Sequence, residues 1–147
     1  CQFLQVVIET DIQSDFCVWV ACYPEKHKEA PSIDSDIRRL KDKVNAGADY
    51  VVTQMFFDNK KYFEFVEKAK EAGINVPIIP GIKPVAVKRH LQLLPQVFKL
   101  DIPDELVRAV EKCKANAKEL MEYGVPVLHY YSMGKSDNIK KIASAIF

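Results

Sequence analysis

Four short segments at the ends of apolar runs together concentrate aromatic side chains and hydrogen-bonding groups. They are residues 23–27 (YPEKH), 54–58 (QMFFD), 80–84 (PGIKP) and 130–133 (YYSM). Aromatic rings can flank a flat heterocycle, while amide and hydroxyl groups can hydrogen-bond to its edge. In parallel α/β folds, sites gather at the carboxyl ends of the strands. The segments therefore predict a ligand site at one rim of a sheet.

Each of these residues also has a simpler structural explanation. His27 lies in a charged loop, where a solvent-exposed histidine without a function is common. Gln54 is polar within an apolar strand, and a buried amide needs hydrogen-bond partners, so a site role and a packing role both remain open. Tyr130 and Tyr131 are equally compatible with packing at the rim.

Charged side chains form a stripe on the first predicted helix, where Asp36, Arg39 and Lys43 follow the spacing i, i+3, i+7. Such a stripe can hold a phosphate-bearing cofactor. A solvated face of ion pairs is the simpler interpretation. The sequence contains no glycine-rich phosphate loop, nucleophile elbow or His/Cys metal cluster. Residue spacing alone therefore predicts a rim site without specifying a reaction.

Alternating elements must position these side chains. Apolar runs predict strands over 16–23, 50–57, 76–82 and 126–133. Helices are predicted between them: one from the N-cap Ser32 to Gly47, one from Asp58 or Asn59 to Gly73, one over 85–94, a longer region from 101 to Gly124, and a last one capped by Ser136 or Asp137. The segment 76–82 contains two prolines, which disfavour a central strand because each lacks the backbone N–H that would donate to a neighbouring strand. Residues 1–15 are assigned to a short helix and a loop.

The order βαβαβαβα predicts an α/β fold of parallel strands with right-handed crossovers. The 147 residues suit one domain. Four such units form either a small open sheet or half of a TIM (β/α)8 barrel.

Composition excludes several classes of protein. The formal net charge is +1, so there is no basic excess to attract nucleic acid. No apolar stretch has the length of a membrane span, and no signal peptide is expected. The four cysteines (Cys1, Cys17, Cys22 and Cys113) lack metal-type spacing, and Cys17 and Cys22 are predicted on opposite faces of one strand. Reduced, mostly buried thiols indicate a reducing compartment, so the cytoplasm is expected.

Taken together, the four strand ends resemble methylenetetrahydrofolate reductase of the bacterial type. The resembling pieces are VACYPEKHKEAPS, DSDIRRLKDKVNAGADYVVTQMFFDN, VPIIPGIKPV and LHYYSMGK, in the order of the family. The resemblance implies a flavoprotein of one-carbon metabolism and methionine biosynthesis. It implies a TIM barrel with FAD, a hydride donor that is NADH or NADPH, and a folate substrate. The resemblance further implies that this chain corresponds to barrel units five to eight.

The resemblance also assigns site residues. The implied cofactor-binding residues are Tyr23, His27 and Ala30 in the loop and Asp36, Arg39 and Lys43 on the helix. Arg39 and Asp42 differ from the residues at these positions in some bacterial members. Gln54 matches the glutamine that hydrogen-bonds the folate pterin. His90 and Lys135 align with a substrate-contacting glutamine and an arginine.

The departures from the family concern the catalytic acid and the barrel interior. The glutamate of an EFFPP-like motif and an Arg-Gly-Asp strand end are not in this sequence, so no catalytic residue is identified. Trp19 shares strand parity with Ala21 and Tyr23 and is expected to point into the barrel, where small residues are usual. The 104–124 region is shorter than in the family.

Half a barrel exposes two sheet edges and an apolar inner face. We therefore expect an incomplete reductase that forms a homo-oligomer or associates with a complementary half-barrel. The alternative is a non-catalytic half-barrel that only associates with a partner chain or binds a pterin or nucleotide.

Overall fold

The computed structural model of the protein describes residues 17–83, 110–132, 139–140 and 143–144, and within them parallel strands alternate with helices. The elements in chain order are β1 Trp19–Cys22, α1 Ile33–Asn45, β2 Tyr50–Thr53, α2 Asn59–Glu71, β3 Ile78–Ile79, β4 Gly81–Ile82, α3 Val110–Glu122 and β5 His129–Tyr130. The predicted α/β class is thus confirmed. The strands are shorter than the apolar runs that predicted them, because the segments after Cys22, Thr53 and Tyr130 leave the ladder.

The strands pair in parallel as β1–β2–β3 and, separately, as β4–β5. The prediction of one strand over 76–82 is wrong, because Pro80 divides it into β3 and β4. Pro80 has no N–H to donate, so the ladder with β2 stops there. The next donor, the Gly81 N–H, reaches the Thr53 side-chain Oγ1 at 2.8 Å. The chain then changes neighbours, and the Pro80 carbonyl accepts from the His129 N–H at 3.0 Å.

Helix α1 begins at the predicted cap. The Ser32 hydroxyl accepts from the Ser35 N–H at 3.2 Å, and the Ser35 hydroxyl accepts from the Ser32 N–H at 3.3 Å. This capping box satisfies two backbone donors at the end of the helix. The predicted glycine end is also confirmed, since Gly47 follows the C-cap with φ 103°. Local sequence therefore determines where the charged helix begins and ends.

Replacing Ser32 by alanine is expected to lower the free energy of unfolding by about 1 kcal/mol, because one side-chain acceptor of the capping box is lost. Ser32→Gly should lose only a few tenths of a kcal/mol, since glycine is tolerated at this position. Urea denaturation of both variants measures the difference. Equal losses in the two variants would show that the cap does not stabilise α1.

The core lies between the sheet and the helices. Val20 and Cys22 of β1 are buried against α1 and α2, and the intervening Ala21 is exposed. The predicted alternation is confirmed: Trp19, on the same face as Ala21, is 50% exposed. The Tyr62 hydroxyl of α2 donates to the Ile78 carbonyl at 2.7 Å, inside the core. One sheet face is thus packed on helices, while the other carries an exposed indole ring.

Several predictions fall outside the described residues: the segment 1–15, the helix over 85–94, the start of the long helical region at 101 and the caps Ser136 and Asp137. The half-barrel remains a prediction. Among the described residues, no helix is long and apolar enough to cross a membrane. Within the same ranges, no group of three His, Cys, Asp or Glu side chains is arranged to hold a metal ion.

Candidate functional site at the strand ends

The carboxyl ends of the parallel strands carry the predicted side chains. Tyr23 directly follows β1, Gln54 follows β2, Lys83 follows β4 and Tyr131 follows β5. The pairing β1–β2 places Tyr23 and Gln54 on neighbouring strand ends. The Tyr131 hydroxyl reaches the Thr53 carbonyl at 3.0 Å, which places β5 at the same rim. The structure therefore brings these strand ends together, as the parallel topology requires.

The loop after β1 is folded on itself by its own hydrogen bonds. The Lys26 N–H donates to the Tyr23 carbonyl at 3.1 Å, and the Ala30 N–H donates to the His27 carbonyl at 3.0 Å. Lys26 has φ 74°, and its Nζ donates to the Ala30 carbonyl at 2.6 Å. These bonds bring the Tyr23 and His27 rings into an edge-to-face contact with centroids 4.6 Å apart. The aromatic pair of the predicted cofactor loop is therefore pre-formed.

Asp36 joins this loop to α1. Its Oδ2 accepts a hydrogen bond from the His27 backbone N–H. Asp36 lies in the first turn of α1, where the helix dipole stabilises a negative charge. Burial raises the pKa of the Tyr23 hydroxyl, and the charge of Asp36 raises it further, so this phenol stays protonated near neutral pH. The Asp36 carboxylate thus orients the His27 backbone and helps to raise the pKa of the Tyr23 hydroxyl.

A cavity of about 490 Å³ lies between the loop and α1. Five predicted cofactor residues line it: Tyr23, His27, Asp36, Arg39 and Lys43. The Lys43 Nζ donates to the Ala21 carbonyl at 3.2 Å, across from the helix to β1. Ala30, in contrast, is 3% exposed and does not line this cavity. The five predicted residues thus give the cavity two cations, one carboxylate and two aromatic rings, while Asp42 adds a second acidic side chain and Phe65 a third ring.

Gln54 is held by both its backbone and its side chain. The Gln54 N–H donates to the Cys22 carbonyl at 2.7 Å, and its Oε1 accepts from the Met55 N–H at 3.0 Å. The side chain is half-buried, and its Nε2 donates to no described residue. The two N–H donors of Nε2 are thus not engaged by any described residue. The other predicted substrate residues, His90 and Lys135, lie outside the described residues.

Two residues within the predicted rim segments, Lys83 and Glu25, were given no role from the sequence. Lys83 is 2% exposed, and its Nζ donates to the Tyr131 carbonyl at 3.1 Å. Burial lowers the pKa of the Lys83 ammonium. Glu25 is paired with Lys61 of α2 at 3.2 Å, with only 7% of the Glu25 side chain exposed. A lysine and a glutamate directly after apolar strands were the available signals, because charges are rarely buried without a partner.

The two cysteines near β1 differ in exposure, and only Cys22 is shielded by burial. Cys22 is 4% exposed, and burial raises the pKa of its thiol far above the usual value. Cys17 is exposed, and neither forms a disulfide. The reduced state stays a prediction, and the prediction that both cysteines lie on one strand is wrong, because Cys17 precedes β1.

Comparison with known proteins gives a family match over nearly the whole chain. The model of the family described as methylenetetrahydrofolate reductase matches residues 4–146. Methylenetetrahydrofolate reductase 1 of Schizosaccharomyces pombe is 35% identical over 150 residues, which is 92% of this chain and 25% of that protein. The 5,10-methylenetetrahydrofolate reductase of Escherichia coli is 33% identical over 139 residues, 84% of this chain and 47% of that protein. The chain thus spans about a quarter to a half of these relatives.

A solved structure supports the fold. An uncharacterized protein from Clostridium thermocellum, which binds two copies of 5-methyl-5,6,7,8-tetrahydrofolic acid, superposes with a TM-score of 0.67 at 22% identity. The match covers 97% of this chain and 56% of that protein. The family match over residues 4–146 and the identity to the two reductases confirm the resemblance of the four strand ends: the chain belongs to the methylenetetrahydrofolate reductase family.

Proposed function

We propose that this chain takes part in the reduction of methylenetetrahydrofolate to methyltetrahydrofolate, with FAD as cofactor and NADH or NADPH as hydride donor. The observation that carries the proposal is the cavity shared by Tyr23, His27, Asp36 and Lys43, beside the strand end that holds Gln54. Membership of a reductase family favours this function over a half-barrel that only associates with another chain.

The cavity has the donors that a flavin dinucleotide requires. Lys43 and Arg39 offer positive charge to a pyrophosphate, and arginine is suited to bidentate contact with phosphate oxygens. Tyr23 and His27 offer aromatic edges to a flat ring system. The negative charge of Asp42 would repel a pyrophosphate. The cavity lining has as many cations, Arg39 and Lys43, as carboxylates, Asp36 and Asp42. When bound, FAD would accept a hydride and pass it on.

The residues of this chain would bind and orient the reactants. His27 Nδ1 accepts from the Glu29 N–H at 3.2 Å, so the proton of the neutral ring is on Nε2, available as a donor. Gln54 presents its Nε2 donors to the folate pterin. Tyr23 remains a protonated phenol because burial raises its pKa. Protonation of the folate is assigned to the glutamate of the EFFPP-like motif, which this sequence does not contain.

The full site therefore requires a second half-barrel. We propose that this half, with its glutamate, is supplied by a complementary chain or segment in the cytoplasm, since a second copy of this chain would lack the same glutamate. The flavin absorbance spectrum of the purified chain, recorded with its mass in solution, tests this. A yellow monomer that reduces methylenetetrahydrofolate without any addition would contradict the need for a second half. A chain that binds neither FAD nor a reduced folate, alone or as an oligomer, would contradict the proposed function.

Replacing Gln54 by alanine is expected to weaken binding of 5-methyltetrahydrofolate about tenfold, because the loss of one or two hydrogen bonds removes about 1.4 kcal/mol. Affinity for FAD should change less than twofold. Fluorescence titration of the chain with each ligand measures both. Asn75→Ala removes an exposed amide away from the rim and serves as the matched control. Equal folate affinity in Gln54→Ala and the parent chain would contradict the role of Gln54.

A further inference from the structure

Tyr131 is held at the rim by contacts with several elements. Its backbone N–H donates to the Ile82 carbonyl at 2.9 Å, and its carbonyl accepts from the Lys83 Nζ at 3.1 Å. Its ring lies edge-to-face against His129, with centroids 4.7 Å apart. The absence of a side chain at Gly81 leaves room for it, because a Cβ there would lie 2.7 Å from Tyr131 Cε2. The direction of this side chain is therefore determined by its surroundings.

The Tyr131 hydroxyl is directed at one peptide group. It donates to the Thr53 carbonyl at 3.0 Å, across 78 residues of sequence. That carbonyl belongs to the peptide whose N–H is Gln54, and this N–H donates to the Cys22 carbonyl at 2.7 Å. Burial raises the pKa of the Tyr131 hydroxyl, so it stays a protonated donor. The Thr53–Gln54 peptide is thus fixed on one side by β1 and on the other by Tyr131.

The backbone ladder does not provide this restraint. β3 pairs with β2 at Val51 and Val52, and no pairing with β2 is described beyond Pro80. The Thr53 side chain is already used, since its Oγ1 accepts the Gly81 N–H at 2.8 Å. Thr53 is the last residue of β2. Among the described residues, its carbonyl accepts its hydrogen bond from the Tyr131 hydroxyl. Because Thr53 is fully buried, water does not reach this carbonyl and cannot replace the phenol as its hydrogen-bond donor.

We infer that Tyr131 is a positioning residue for Gln54, holding the Thr53–Gln54 peptide so that the amide of Gln54 faces the folate. The inference rests on the proposed function only in naming folate as the ligand; the positioning of the Gln54 backbone is independent of it. Tyr131 acts through its hydroxyl, so Tyr131→Phe should remove the effect while keeping the ring. Tyr123→Phe is the matched control, since its hydroxyl donates to Glu67 at 3.0 Å on an exposed surface.

A double-mutant cycle tests the ligand-bound state. Tyr131→Phe should weaken binding of 5-methyltetrahydrofolate about fivefold, corresponding to one hydrogen bond of about 1 kcal/mol. In a Gln54→Ala background the same substitution should have almost no effect, because the amide that it positions is absent. Equal losses in both backgrounds would overturn the inference. A normal folate affinity of Gln54→Ala itself would instead contradict the proposed role of Gln54 in binding folate.

Hydrogen exchange tests the same inference without a ligand. The Gln54 N–H should exchange about fivefold faster in Tyr131→Phe than in the parent chain, because its peptide loses one of two restraints. The N–H groups of α2 should exchange at parent rates, which shows that the variant is folded. Tyr123→Phe should leave Gln54 unchanged. An unchanged Gln54 exchange rate in Tyr131→Phe overturns the inference whether or not the chain binds folate.

Discussion

Alanine at position 81 is expected to lower the free energy of unfolding by about 3 kcal/mol, the upper end of the cost of overpacking. The new Cβ would lie 2.3 Å from the Thr53 carbonyl oxygen and 2.7 Å from Tyr131 Cε2. The first of these atoms belongs to the backbone of β2, so it cannot rotate away. Strand β4 would have to move from β2, and the hydrogen bond between the Gly81 N–H and Thr53 Oγ1 would weaken.

Gly124→Ala is the control for this substitution. Gly124 has φ 94°, and a Cβ there would meet nothing within 4 Å. Alanine at 124 therefore adds backbone strain without a clash and should cost about 1 kcal/mol. Urea denaturation at one pH, followed by circular dichroism, compares the two variants. A loss at Gly81 no larger than the loss at Gly124 would show that β4 can move away from β2 without cost.

Removal of the Asp36 side chain is expected to lower the affinity for FAD about 30-fold, because a hydrogen bond to a charged group contributes about 2 kcal/mol. In Asp36→Ala the His27 N–H loses its carboxylate partner, and the loop that carries Tyr23 and His27 loses its link to α1. In Asp36→Asn an oxygen acceptor remains but the charge is lost, so the affinity should fall only about fivefold. Flavin fluorescence during titration of the chain measures each affinity.

Asp34→Ala is the matched control, since Asp34 is an exposed carboxylate in the same first turn of α1. It should bind FAD like the parent chain. Hydrogen exchange of the His27 N–H gives a readout that needs no flavin, and Asp36→Ala should accelerate it. Two results would contradict this role of Asp36: FAD affinity unchanged in Asp36→Ala, or equal losses in the Asp34 and Asp36 variants.

The charged helix and its loop were largely predictable from local sequence. Ser32 as N-cap and Gly47 after the C-cap follow from residues at most a few positions apart. The stripe of Asp36, Arg39 and Lys43 follows from helical spacing, and all three line the cavity beside the YPEKH loop. Helical spacing did not decide whether this stripe is a solvated face of ion pairs or a cofactor-binding surface. That depends on the loop, which folds back onto the helix through the hydrogen bond from the His27 N–H to Asp36.

The sequence by itself determined the alternation of the described strands and helices, the cap residues of α1 and the family. Each of these depends on the order of residue types along a short stretch. Only the tertiary structure decided the partner change at Pro80, the burial of Lys83 and the bond from Tyr131 to Thr53. These contacts join residues 28 to 78 positions apart, so they cannot be predicted from a pattern within a short stretch of sequence. The rim residues were thus visible in the sequence, but their mutual restraint arises where parallel strands end beside one another.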